Sequence, residues 1–311
     1  MIRFGLCCIF KDQPIKFRQT TAKYLAQFPR ARQMDFLSQI CLANGETLMK
    51  ALTYCHGHGI GDFRINSQIL PLKTHPDMAY DIMDLPAGEK IVKNFKACGA
   101  FAKENNIRTT FHPDQFNVLS SVTPDVVRRS VETLEYQAGV AEWVNADVIN
   151  IHGGGIYGNK RAALVRLRQE IDLLPDPVRS RLTLENDDRC YTPEDLIPVC
   201  RDMNIPLVYD VHHHECFKDS LTIGQATDLA LKTWDREPLF HLSSPINGWD
   251  QSDRRKHHDY IDIKDFPSAW YLLDLTVEVE AKAKEVAILK LINDFKKISK
   301  SSKSPREEKP C

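Results

Sequence analysis

Short apolar, β-branched runs recur along the whole chain, separated by segments with helical spacing of apolar residues. This alternation narrows the fold more than any other feature. The runs are IRFGLC (2–7), DFRIN (62–66), IRTTFH (107–112), DVINIH (147–152), RLTLEN (181–186), PLVYDV (206–211), LFHLSS (239–244) and LTVEVEAK (275–282). Amphipathic stretches cover 35–55, 90–106, 123–146 and 192–204. The last two open on Thr123–Pro124 and Thr192–Pro193, an N-cap followed by proline at the first helical position. Pro198 is expected to kink or shorten the fourth. Eight strands alternating with helices fit an open doubly wound sheet or a closed (β/α)8 barrel. The strand count, and the lack of a G-x-G-x-x-G turn after the first strand, favour the α/β TIM barrel.

No internal repeat or linker divides the chain, so residues 1–290 read as one barrel domain. Residues 291–311 read as a helix end and a lysine-rich tail, either a flexible solvated terminus or a basic arm near a polyanion. The net charge of -1 advertises no global basic field, so any basic surface must be local. The N-terminus lacks a signal-peptide apolar core, and no run of eighteen apolar residues exists, so neither secretion nor a membrane partner is expected. Nine cysteines without a C-x-x-C pair argue for reduced, buried thiols in a cytoplasmic protein, nucleoid-associated in a prokaryote.

The strand ends carry the chemistry. His112, His152, Glu185, Asp210, His241 and Glu280 lie at or near the ends of the third to eighth strands, while His75 and His258 sit in loops after the second and seventh. A barrel opens all these ends onto one face. Each residue alone reads more simply as a hydrogen-bonded rim group. Six together are costly to bury unless cations neutralise the carboxylates. Imidazole and carboxylate without thiolate suit manganese, zinc or iron(II). The donors exceed what one ion needs, so two or three are expected, with Glu185 as the bridge. In PLVYDVHHHE, Asp210 would ligate one ion, and His213 would reach round the turn to another. His212 and His214 read as supporting or loop residues. Clustered divalent ions are typical of phosphoester hydrolysis.

Six motifs then occur in the order found in UV damage endonucleases: FHPDQF (111–116), NIHGGG (150–155), LENDDR (184–189), VYDVHH (208–213), FHLSS (240–244) and VEAK (279–282). With MIRFGLCC and FRINSQILPLKTHP (63–76), the chain resembles that family over roughly residues 1–290. The resemblance implies a TIM barrel related to endonuclease IV, with two or three divalent ions, manganese foremost and zinc or magnesium as alternatives. It implies a monomer acting on damaged double-stranded DNA, nicking 5′ to UV photoproducts and leaving a 3′-hydroxyl and a 5′-phosphate. By position, His112 and His152 would bind one ion with Glu185 bridging. Asp210, His241 and Glu280 would hold the second, and His213 with His258 the third. His75 would stand by the scissile phosphate, making Glu185 and His75 the catalytic pair. Gln115 and Phe116 match the pair that enters the duplex at the lesion. Asn186, Arg254 and Lys256 are further expected DNA contacts. Two positions depart from the family pattern: Leu239, where some members have lysine, and Leu6, where some have tyrosine.

Within the same class the alternative is an endonuclease IV-like abasic-site enzyme. From a different class it is a metal-dependent TIM-barrel sugar isomerase. A non-enzymatic metal-binding protein fits less well, because the donors come from six strands. The basic segments NKRAALVRLR (159–168) and DRRKHH (253–258) lean toward DNA, although each alone also reads as a solvated surface.

Overall fold

A computed structural model describes residues 2–301. Eight parallel strands follow the expected runs: β1 Ile2–Cys7, β2 Asp62–Ile65, β3 Arg108–Phe111, β4 Val148–His152, β5 Leu182–Glu185, β6 Leu207–Val208, β7 Leu239–Leu242 and β8 Leu275–Val279. They form one sheet in the order β6-β5-β4-β3-β2-β1-β8-β7. Its two ends meet at a seam where Asp210 bridges His241 and the His241 N–H donates to the Tyr209 carbonyl at 3.1 Å. The result is a nearly closed TIM barrel.

The helices α1 Ala22–Leu25, α2 Arg30–His58, α3 Gly88–Glu104, α4 Pro124–Val144 and α5 Lys160–Leu173 surround the first half. The second half carries α6 Asp176–Arg179, α7 Pro193–Met203, α8 Val211–Cys216, α9 Ile223–Leu231 and α10 Lys284–Ser301. Pro198 does not end α7. A capping box between Thr192 and Asp195 fixes the helix start, and buried Leu196, Ile197, Val199, Cys200 and Met203 hold its inner face, offsetting the missing N–H. The alternation of strand and helix fails once. Residues 243–274 contain no α-helix, only 3₁₀ turns at Ile263–Asp265 and Ser268–Trp270. Fully buried Trp270 fills that gap, packing on Phe240 and Phe266 with ring centroids 5.3 and 5.7 Å away.

Helix α10 runs through Ser301, so the lysine-rich segment begins inside a helix whose Leu291 is buried. The part of the expected tail beyond Ser301 lies outside the described residues. Among the described residues, no helix is long and apolar enough to cross a membrane, and the cysteines are all free thiols.

Strand pleating sends alternate side chains inward, and here many of those are polar. At the N-terminal end of the barrel, Arg108 clamps Asp147 through Nε and Nη2 at 3.0 and 2.8 Å, and donates to Thr276 Oγ1 at 3.1 Å. In the middle, Asp62 and Glu278 are buried beside Gly5, whose missing side chain leaves room for the Asp62 carboxyl. Burial, with the neighbouring Glu278 charge, pushes the Asp62 carboxyl well above its ordinary pKa. The C-terminal end carries His112, His152, Glu185, Asp210, His213, His241 and Glu280.

Candidate metal centre

Three groups of donors converge at the C-terminal ends of the strands, each with its ligand atoms within 4.8 Å of one another. They are His112, His152 and Glu185; Glu185, Asp210 and His213; and Asp210, His241 and Glu280. Glu185 belongs to two groups and Asp210 to two, so the three form one connected patch. Register explains the meeting. His152 on β4 lies directly beside Glu185 on β5, and Asp210 beside His241 at the seam.

The three consecutive histidines lie on a short helix, α8, and not in a loop. Asp210 is its N-cap, accepting the His213 N–H on Oδ1 at 2.7 Å. One turn of helix thus points His213 back toward the cap. Its Nδ1 lies 3.0 Å from the Asn186 carbonyl and 3.3 Å from Glu185 Oε1. His214 is committed elsewhere, with Nδ1 on the Tyr209 hydroxyl at 2.7 Å and Nε2 on Asp219 at 2.9 Å. His212 is buried and packs on the His257 and Trp249 rings, with centroids 5.0 and 5.1 Å away.

Below the donors lies a supporting layer of residues outside the expected ligand set. Asn150 Nδ2 donates to Glu185 Oε2 at 2.5 Å, and Thr183 Oγ1 donates to Asn150 Oδ1 at 2.9 Å. Glu278 Oε2 lies 3.0 Å from His241 Nε2, while Thr110 donates to its other oxygen at 2.5 Å. Arg64 joins Glu278 to Glu280, at 2.7 and 2.5 Å. Each supporting residue on β4, β5 and β8 lies two positions before a donor: Asn150 before His152, Thr183 before Glu185, Glu278 before Glu280. A period of two was the signal available for them.

The electrostatics suit cations. Burial alone would raise Glu185, but the imidazoles of His241 and His152 and hydrogen bonds from His112 and His213 hold it well below the ordinary carboxylate range. Glu280 is likewise held low against burial by Arg64 and His241. Burial opposes the charged form of His241, yet Glu185 and Glu278 raise its pKa to about 10. His152, where burial dominates, falls to about 4. Buried Asp210 Oδ2 and His152 Nδ1 have no hydrogen-bond partner. Oxygen and imidazole donors with orphaned buried atoms and no thiolate among them fit divalent cations.

The family model described as UV-endonuclease UvdE matches residues 2–307. The chain belongs to the UV-endonuclease UvdE family. The UV DNA damage endonuclease of Bacillus velezensis is 33% identical to it, covering 96% of this chain and 95% of its own length. The crystal structure of SacUVDE superposes with a TM-score of 0.83 at 25% identity, covering 96% of this chain and all of that one. Endonuclease IV from Thermus thermophilus shares the fold, with a TM-score of 0.61 at 15% identity over 96% of this chain and 99% of its own.

The remaining residues singled out by the UvdE resemblance fall in three places. On the rim, Phe116 is 75% exposed beside exposed Gln115, and Arg254 and Lys256 are exposed on the loop after β7. Asn186, expected to meet DNA, is fully buried. Its amide grips the Asp210 backbone, donating to the carbonyl at 2.8 Å and accepting from the N–H at 3.0 Å. Outside the three donor groups lie His75, half-buried in the loop after β2, and His258, whose Nδ1 is taken by the Tyr260 backbone at 2.9–3.0 Å. The adjacent His257 is the imidazole facing the centre, with Nδ1 3.8 Å from Glu280 Oε2. Leu6 and Leu239 are completely buried.

Proposed function

We propose that this chain is a DNA repair endonuclease that recognises UV photoproducts and other distorting lesions. It would hydrolyse the phosphodiester 5′ to the lesion, leaving a 3′-hydroxyl and a 5′-phosphate. The observation that carries this reading is the pair of shared carboxylates, Glu185 and Asp210, linking three donor groups into one connected patch in a UvdE-family barrel.

His112, His152 and Glu185 would hold one ion, and Asp210, His241 and Glu280 a second. A third would rest on His213 with His257, which takes the place expected of His258. Manganese is the proposed metal. Bound divalent ions supply Lewis-acid stabilisation of phosphate charge and a nucleophile competent at neutral pH. The chain's own contribution is placement. Asn150 and Glu278 fix the orientations of Glu185 and His241, and Asp210 is steered by its helix cap and by Asn186. His75, whose Nδ1 accepts the Asp77 N–H at 3.2 Å, would stand near the scissile phosphate with its other nitrogen free. Gln115 and exposed Phe116 would enter the duplex at the lesion, filling the stack left by displaced bases. Arg254 and Lys256 would hold the backbone. The enzyme is read as a cytoplasmic monomer with a single catalytic domain over residues 1–290.

The test is cleavage of an end-labelled duplex carrying one pyrimidine dimer, with manganese and with chelator, beside undamaged and abasic duplexes. A manganese-dependent nick immediately 5′ to the dimer supports the reading. Cutting confined to the abasic duplex moves the chain to an endonuclease IV-like activity. No cutting of any duplex by metal-loaded protein overturns both.

A further inference from the structure

Two neighbouring loops, after β3 and β4, frame one side of the metal centre and are locked together. Ser120 Oγ, in the loop that carries Phe116, donates to the Gly153 carbonyl at 3.2 Å. A side chain on Gly154 would come within 2.6 Å of that hydroxyl and 2.7 Å of Val118, so the second loop packs backbone-first against the first. From α5, Arg166 Nε donates to the Ser120 carbonyl at 3.0 Å and ties the same loops from behind.

At the tip of the second loop, Ile156–Asn159 form a tight turn closed by the Asn159 N–H on the Ile156 carbonyl at 2.8 Å. Its central residues, Tyr157 and Gly158, have φ of 46° and 75°. Positive φ at both central positions is a type I′ turn, where glycine or asparagine sits without strain and a bulky side chain does not. The chain places tyrosine there, two residues before a helix N-cap, Asn159, that already fixes the geometry through the Ala162 N–H at 3.0 Å.

The ring is also held. A side chain on Gly155 would come within 3.1 Å of Tyr157 Cε2 and Cζ, so the ring lies close over bare backbone. The Arg166 guanidinium stands 5.7 Å from its centroid. Even so, Tyr157 is 42% exposed, and exposed Ile156, Val122 and Phe116 sit in the same two loops. A strained, braced and open aromatic beside an active site is costly to keep unless it meets a ligand.

We propose that Tyr157 is a stacking platform for a nucleobase displaced from the duplex, a second aromatic DNA contact on the loop neighbouring that of Phe116. This rests on the endonuclease reading above, with unstacked bases as the partner because aromatic rings bind them by their faces whatever their sequence.

The experiment compares Tyr157→Asn and Tyr157→Phe with the wild type, using fluorescence anisotropy on duplexes with and without one pyrimidine dimer, and thermal melting of the protein. Asparagine suits the turn, so Tyr157→Asn should melt at or above the wild-type temperature. It should nevertheless bind the damaged duplex ~10-fold more weakly. Tyr157→Phe should bind as the wild type does. Wild-type affinity in Tyr157→Asn overturns the platform, as does an equal loss in both variants, which would assign the contact to the hydroxyl. A wild-type protein that ignores the dimer defeats the endonuclease reading itself, a result visible before either variant is measured.

Discussion

Glu278 Oε2 stands 3.0 Å from His241 Nε2, and this contact leaves His241 Nδ1 to face Glu185, Asp210 and Glu280 at 3.0, 3.9 and 3.7 Å. A carboxylate on the far nitrogen fixes ring orientation and makes the near nitrogen a better donor. Arg64 and Thr110 hold Glu278 itself in place, and with Arg64 beside it its pKa sits near 2 despite burial, so it is ionised throughout the working range.

Glu278→Ala should therefore weaken metal binding by ~10–100-fold while every proposed ligand remains present. Calorimetric titration of manganese into chelator-stripped protein measures this directly. Unchanged affinity would mean that packing alone orients His241.

Glu185→Ala removes the carboxylate common to two donor groups. Cleavage should be abolished while the circular dichroism spectrum stays that of the wild type. Near-normal cleavage would sink the multinuclear model of the site.

In the protein free of metal, His241 has its pKa raised to about 10, above the ordinary imidazole value. The sign follows. Its charge pairing with Glu185 stabilises the metal-free fold fully below pH ~6.5, and this contribution is lost as pH rises toward 10. A metal ion must displace that proton, so uptake at pH 7 should release it and apparent affinity should rise with pH. Titrations in buffers of different ionisation enthalpy count the protons. A count of zero would exclude His241 from the ligand set.

Arg254 and Lys256 are exposed on the loop after β7, and the chain has no global positive charge to assist them. DNA affinity should fall ~100-fold between 50 and 200 mM salt if about four phosphates are contacted. Removing either residue should lower the salt slope by ~1. A flat salt response would refute a phosphate-gripping rim.

Much of this is readable in the sequence, for physical reasons. Buried parallel strands leave a compositional trace, and all eight strands fall on the runs that carry it. A donor at a strand end is likewise legible, because barrel topology sends every such end to one face. Local chirality is harder to read. The row His212–His214 folds as a helical turn because Asp210 caps it, a choice made by one hydrogen bond. In the pair His257–His258, neighbouring residues leave the backbone in different directions. Only the tertiary contacts decide: the His258 N–H on the Ser244 carbonyl at 2.7 Å, and its ring on Tyr260. Asn186 reads in the sequence as an amide free to meet DNA, and only the fold closes the Asp210 backbone on it. The missing helix between β7 and β8 is replaced by Trp270, whose role depends on what it packs against.

The seam has a consequence of its own. The two end strands of the sheet, β6 and β7, are joined through Asp210 and His241, two residues that also belong to the donor groups. The ring is therefore closed through two residues proposed to hold metal, so the stability of that edge is expected to depend on metal loading. Metal loading should then be legible from outside, as slower amide exchange at Tyr209 to His212 and greater resistance to proteases along that edge.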